Sequence, residues 1–105
     1  MEANKAHKDK DVDIESLRAE IDECDEYIVE LLVRRFNLAR KIGTYKAIHN
    51  LPIMDAPREK RLLSSRRRQA SEAGNYSIDE VFKRILEESR QIQMMVREEL
   101  GIGGT

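Results

Sequence analysis

Two cationic side chains lie on or beside an apolar helical pattern in the first half of the chain. From Ile14 to Tyr45, apolar residues recur at alternating steps of three and four, and Arg35 occupies one position of that series. A buried guanidinium without an anion is strongly destabilising, so Arg35 requires a partner. Lys46 follows eleven residues later, within about 20° of the same helix face and about 16 Å further along. The two side chains could bind one small dianion; a structural ion pair or extension into solvent would also explain Arg35.

A second polar pair lies in an apolar series near the end of the chain. Between residues 82 and 100, the residues at successive steps of four and three are apolar except for Ser89 and Gln93. These two are four residues apart and share one face of a helix. Two stripes that are apolar at the ends and polar in the middle indicate a polar pocket between helices. A buried hydrogen-bond network that fixes helix register is the alternative interpretation.

Three helices, long, short and long, would position these residues. The first spans about residues 14–48 and ends before Pro52, whose ring disfavours helix at the preceding residue. At 1.5 Å per residue it would be roughly 50 Å long, which is too long for a compact monomer of this size. Its continuous apolar stripe predicts a second chain beside it. No segment alternates as a strand does, so the predicted fold class is all-α.

The second and third helices are delimited by capping signals. Asp55 is suited to be the N-cap of the second helix, predicted over about residues 56–73, with Pro57 in its first turn. Ser77 and Glu80 have the spacing of a capping box and predict the start of the third helix.

Composition and charge exclude several classes of function. The 105 residues suffice for one helical domain over 14–100, with a flexible charged arm (1–13) before it and a flexible tail (101–105) after it. The formal net charge of -1 provides no general field for nucleic acid, and the basic run 66–68 is interpreted as a solvated helix face. The single Cys24 excludes an intrachain disulfide and a multi-cysteine zinc site. No run suits a signal peptide or a membrane span, which predicts a cytoplasmic protein.

Four further charged residues are candidates for the same site. Arg18 precedes Arg35 by seventeen residues, about 25 Å along one helix and on another azimuth, so one small ligand could contact both only if Arg18 came from an antiparallel second chain. Asp55, Arg58 and Glu59 lie together at the start of the second helix. Capping explains Asp55 equally well, and an exposed helix surface would explain the other two.

In this order and at these spacings, the residues resemble those of the all-helical AroQ-class chorismate mutases over about residues 14–100. The similar segments are Leu17-Arg18-x-x-Ile21-x-x-x-Asp25, Leu31-Leu32-x-x-Arg35, Gly43-x-x-Lys46, Pro52-Ile53-x-Asp55-x-x-Arg58-Glu59 and Ser89-x-x-x-Gln93. The resemblance implies an intertwined homodimer of three-helix chains with the two long first helices packed antiparallel. It also implies the Claisen rearrangement of chorismate to prephenate, on the way to phenylalanine and tyrosine.

The resemblance further implies a role for each residue. Arg35 and Arg18 of a second chain would bind the two substrate carboxylates, for which the guanidinium geometry is suited. Lys46 and the Gln93 amide would donate to the ether oxygen, which gains negative charge in the transition state. An amide donates at every pH, so Gln93 should impose no requirement for low pH.

The remaining candidates would complete the site without any metal or cofactor. Glu59 would accept from the substrate hydroxyl, near Asp55, while Arg58 and Ser89 would support the region of the ring carboxylate. A pericyclic rearrangement needs a folded substrate and stabilisation of the developing charge, but no nucleophile, general base or cofactor.

Two other functions compete with this interpretation. An isochorismate-pyruvate lyase on the same scaffold would also need arginines and a lysine, but the set of Asp55, Arg58 and Glu59 favours the mutase. A non-catalytic helical dimerisation module would explain the first apolar stripe, but it would not explain Ser89 and Gln93.

Overall fold

The computed structural model describes residues 13–101, and these form three α-helices. They are α1 (Ile14–Ile48), α2 (Ala56–Ala73) and α3 (Asp79–Glu99). No strand occurs within residues 13–101, so the predicted all-α class and the order long, short, long are confirmed. None of these helices is both long enough and apolar enough to cross a membrane. The predicted arm and tail lie, except for residues 13 and 101, outside the described residues.

The end of α1 and the start of α2 follow the signals in the sequence. Asn50 adopts the left-handed conformation with φ of 56°, and the Leu51 N–H donates to the Lys46 carbonyl at 2.8 Å. These features end α1 before the proline. The Asp55 carboxylate accepts from the backbone N–H of Arg58 at 3.1 Å, which makes Asp55 the N-cap of α2.

The capping box predicted at the start of α3 is not observed, so this prediction is wrong. The N-cap is Ile78, without a side-chain hydrogen bond, and Ser77 lies outside the helix. Both Asp79 oxygens instead accept from Nε of Arg67 on α2 at 3.1 Å, and Glu80 pairs with the lysine three residues on. The side chains of Ser77 and Glu80 thus form no reciprocal capping bonds among residues 13–101.

The chain divides into two compact units, and the first contains α1 only up to Arg34. None of its residues from 13 to 34 is buried within the chain. The apolar stripe predicted from the sequence is exposed by 46–60% at its bulky aliphatic positions: Ile14, Leu17, Ile21, Ile28 and Leu31. Apolar surface of this extent on one helix face is typical of an interaction surface.

The second unit, which begins at Arg35, contains the rest of α1 together with α2 and α3. Its α1 segment buries small residues rather than the bulky stripe: Ala39, Gly43 and Ala47. The other buried apolar residues are Leu62 on α2, and Leu86 and Val96 on α3. The steps of four between the small residues place them on one helix face, where they permit close helix packing.

Candidate active site

A cavity of about 470 Å³ lies among the three helical segments of the second unit. Seven of the eight predicted site residues line it: Arg35, Lys46, Asp55, Arg58, Glu59, Ser89 and Gln93. The eighth, Arg18, belongs to the first unit, is exposed, and pairs with Glu15 at 3.2 Å. Residues from all three helices thus converge on this cavity.

The close approach of α1 to α3 positions Gln93 in the cavity wall. A Cβ added to Gly43 would lie 3.0 Å from the Cα of Gln93, so only glycine fits there without a shift of one backbone. Gln93 is 7% exposed, and its Oε1 has no hydrogen-bond partner among residues 13–101. A buried unpaired amide is unfavourable. The Gln93 amide is therefore available to a ligand, and rotation would present its NH₂ group.

Arg35 is held by a hydroxyl group and not by a carboxylate. Its Nη1 donates to Ser89 Oγ at 3.0 Å, and that hydroxyl donates to the Ile85 carbonyl at 2.9 Å. Burial lowers the pKa of Arg35, and the charges of Arg66 and Arg58 lower it further. No carboxylate within residues 13–101 lies within 4.0 Å of Arg35. The alternative of an ion pair with one of these residues is thereby excluded.

Lys46 is anchored by the loop between α1 and α2. Its Nζ donates to the Ile53 carbonyl at 2.7 Å, which leaves two N–H bonds for a ligand. Burial lowers the pKa of Lys46, the carboxylates of Asp55 and Glu59 act in the opposite direction, and the charge of Arg97 lowers it again. The loop thus fixes the position of a partly desolvated ammonium group.

The Glu59 carboxylate is held by an arginine that the sequence interpretation missed. Arg90 Nη1 lies 2.6 and 2.7 Å from the two Glu59 oxygens, and the side chains are 29% and 19% exposed. Arg90 also lines the cavity. It lies four residues after Leu86 and three before Gln93, and this spacing was the available signal.

Arg97, also missed, binds the same loop from α3. It is 6% exposed, and its Nη2 donates to the Leu51 carbonyl at 2.5 Å. Because the Leu51 N–H donates to the Lys46 carbonyl, the loop is fixed at several points around Lys46.

The run of three arginines does not form the uniform solvated face that was expected. Arg67 pairs with Asp79 at 3.0 Å, and Arg68 is exposed. Arg66 is half-buried, lines the cavity and lies 5.9 Å from the ring centre of Phe82. The basic-face interpretation is therefore wrong for Arg66.

The cavity is strongly cationic. Five basic and two acidic side chains line it, an excess of three positive charges: Arg35, Lys46, Arg58, Arg66 and Arg90 against Asp55 and Glu59. Within residues 13–101, no group of three His, Cys, Asp or Glu side chains is placed to hold a metal ion. The arrangement can bind a small anion with several charges and direct N–H donors at it.

Comparison with known proteins agrees with this geometry. The family profile described as chorismate mutase type II matches residues 17–94. The T-protein of Haemophilus influenzae is 36% identical over 78 residues, and that of Enterobacter agglomerans is 34% identical over 79. These alignments cover 72% and 73% of the chain but 21% of each relative, so the chain spans about a fifth of their length. No solved structure gave a significant match. The chain belongs to the chorismate mutase type II family.

Proposed function

We propose that the chain converts chorismate into prephenate in the cavity of the second unit. Family membership supports this activity, and one structural observation carries it. Two donors, Lys46 Nζ and the buried Gln93 amide, line the same cavity as Arg35 and Arg58, neither of which forms an ion pair within residues 13–101. Because the substrate is a dianion with a breaking ether bond, it needs both cations and donors in one site.

In the proposed reaction, the ether C–O bond breaks while a C–C bond forms, and no proton is transferred. Arg35, oriented by Ser89, would bind one carboxylate, and Arg58 would support the other. Lys46 and Gln93 would donate to the ether oxygen as it gains negative charge. The protein then contributes substrate conformation and electrostatic stabilisation, and needs no covalent intermediate.

The acidic side of the cavity would bind the substrate hydroxyl. Glu59 would accept from that hydroxyl, and the donation of Arg90 Nη1 to both Glu59 oxygens would fix the orientation of the carboxylate. Asp55 caps α2 and also faces the cavity, so it would act close to the hydroxyl and to Lys46.

A homodimer is part of the proposal. The exposed apolar stripe of the first unit supports it, since a second chain would cover that surface. In this arrangement Arg18 of the second chain would supply a further carboxylate contact, and its present partner Glu15 is an exposed, weak one. We also propose a cytoplasmic setting, in keeping with a biosynthetic family.

The direct test is incubation of the purified protein with chorismate, with loss of its ultraviolet absorbance and identification of the product as readouts. Lys46→Ala and Gln93→Ala should each lower the turnover by about 10²–10³, the typical effect of removing one such donor. Lys41→Ala and Gln91→Ala are matched controls on the same helices, because both residues are exposed and neither lines the cavity.

Three outcomes would contradict the proposal. Full turnover in a folded Lys46→Ala or Gln93→Ala variant would refute the assigned roles. Release of pyruvate from isochorismate, without formation of prephenate, would identify a lyase on this scaffold. If the wild-type chain converts neither substrate, the non-catalytic helical dimerisation module is the interpretation that remains.

A further inference from the structure

Three consecutive arginines on α2 have three different environments. Arg67 binds Asp79, and Arg68 is exposed on the outside of the helix. Arg66 instead lies four residues after Leu62, which lies three residues after Glu59. This spacing places the three residues on one helix face, and all three line the cavity. Successive helical residues are separated by about 100°, so Arg67 and Arg68 must point away from the direction of Arg66. The position of Arg66 is therefore a property of the cavity and not of a basic surface.

Arg66 belongs to a group of three guanidinium groups in the wall of the cavity. Within residues 13–101, no carboxylate lies within 4.0 Å of Arg35, Arg58 or Arg66. The charge of Arg66 helps to lower the pKa of Arg35, so the two are close enough to repel each other. A contact of 3.5 Å to Ser65 Oγ is the one side-chain hydrogen bond that Arg66 makes among the described residues. Such repulsion is relieved when an anion binds between the cations.

The location of Arg66 indicates which end of the cavity it serves. It lies eight residues after Arg58, about 12 Å further along α2 and away from the N-cap Asp55. The charge of Arg66 lowers the pKa of Arg35 more than the charge of Arg58 does, so Arg66 lies nearer to the Arg35 end of the cavity. Its guanidinium lies 5.9 Å from the Phe82 ring centre, which can support it there. Lys46 and the loop carbonyl of Ile53 lie at the other end, beside Asp55.

We propose that Arg66 is a further substrate-binding residue, which binds, together with Arg35 of the same chain, one carboxylate of the dianionic substrate. This inference rests on the proposed mutase function for the identity of the substrate. It adds a second cation to the Arg35 end of the site that does not depend on a partner chain.

The test compares Arg66→Gln with Arg68→Gln, which removes the same charge two residues away from an exposed position outside this cavity. Arg66→Gln should raise the KM for chorismate about tenfold to a hundredfold, as expected for a lost charge-assisted hydrogen bond, with a much smaller change in kcat. Arg66→Lys should restore part of the affinity, since the charge remains without the bidentate geometry. Arg68→Gln should leave KM unchanged, and circular dichroism should show all three variants to be folded.

A second measurement does not depend on catalysis. Titration of the wild-type chain with inorganic sulfate, followed by NMR, should shift the resonances of residues lining the cavity, and Arg66→Gln should weaken this binding while Arg68→Gln does not. Equal sulfate affinity and equal KM in the folded Arg66→Gln variant would refute the role of Arg66. Inertness towards chorismate with normal sulfate binding would instead refute the mutase function, so the two failures are distinguishable.

Discussion

Gly43 of α1 lies so close to Gln93 of α3 that a Cβ on Gly43 would be 3.0 Å from the Gln93 Cα. This contact sets the distance between the two helices at the level of the cavity. Gly43→Ala should lower the midpoint of thermal unfolding and reduce turnover, because one backbone must move and displace Gln93. In an unstrained helix the same change would stabilise by about 1 kcal/mol.

Thr44→Ala is the matched control for this prediction, since Thr44 is the next residue on α1 and its hydroxyl donates to the Arg40 carbonyl of the same helix. Unfolding midpoint and chorismate turnover of both variants would be measured side by side. A Gly43→Ala variant that is more stable than the wild type and fully active would show that the contact does not constrain the site.

The charge of Lys46 should limit activity at alkaline pH. Burial lowers the pKa of Lys46, and the amine must be protonated to donate, so kcat/KM should fall as pH rises through a value below the ordinary lysine pKa of about 10.4. The Asp55 carboxylate raises this pKa. Asp55→Asn, which keeps an N-cap side chain, should therefore move the alkaline decline to lower pH.

The pH profiles of the wild type, Asp55→Asn and Glu72→Gln would check this expectation. Glu72 is exposed on α2 and does not line the cavity, so its variant should retain the wild-type profile. If kcat/KM declines at the same alkaline pH in Asp55→Asn as in the wild type, the decline belongs to a group other than Lys46. Gln93 should contribute no acidic limb, because an amide does not titrate.

The Arg90–Glu59 pair should be energetically coupled. Both side chains are mostly buried and joined at 2.6 Å, so a double-mutant cycle with Arg90→Gln and Glu59→Gln should give about 1–3 kcal/mol in the free energy of unfolding. The exposed Arg84–Glu88 pair at 2.7 Å serves as the reference and should give about 0–1 kcal/mol. Urea unfolding measures both cycles.

Turnover adds a functional readout to the same variants. Arg90→Gln should also lower kcat, because Glu59 would lose the group that orients it toward the substrate hydroxyl. Equal coupling in the two pairs, or undiminished kcat in Arg90→Gln, would count against a role for Arg90 in the site.

The proposed exchange of Arg18 between chains can be tested by complementation. Arg18→Ala and Arg35→Ala homodimers should each be nearly inactive. Refolding them together should restore roughly one quarter of wild-type activity, because half of the dimers are mixed and each mixed dimer regains one of two sites. The control is each variant refolded alone by the same procedure. If verified mixed dimers recover no activity, the two chains do not share Arg18.

Helix boundaries were predictable because their signals are local. Asp55 and Pro52 act on the backbone of residues close to them in the chain, so their residue types and positions suffice to predict the start of α2 and the end of α1. The capping box at Ser77 does not form, and α3 begins after Ile78 instead. The Arg67–Asp79 contact at this helix start joins two helices, so no spacing along the chain reveals it.

The site was predictable in part for the same reason. Arg35, Ser89 and Gln93 stand out because they interrupt apolar stripes. Arg66 and Arg90 do not interrupt such a stripe. Arg90 carries only the weak signal of its spacing from Leu86 and Gln93, and Arg66 acquires its place in the cavity from how α2 lies against α3. The Ile53 carbonyl that anchors Lys46 is a backbone group, so the residue type at that position does not predict the contact.

The first unit has a consequence for assembly, because none of residues 13–34 is fully buried within its own chain. Most helical stability in proteins comes from packing of an apolar face, so this part of α1 needs a partner surface to be stable. In the proposed homodimer, folding of this segment and encounter of two chains become one event governed by mass action. The amount of folded enzyme would then rise more steeply than the amount of chain synthesised. Dilution alone would dissociate the homodimer and abolish its activity.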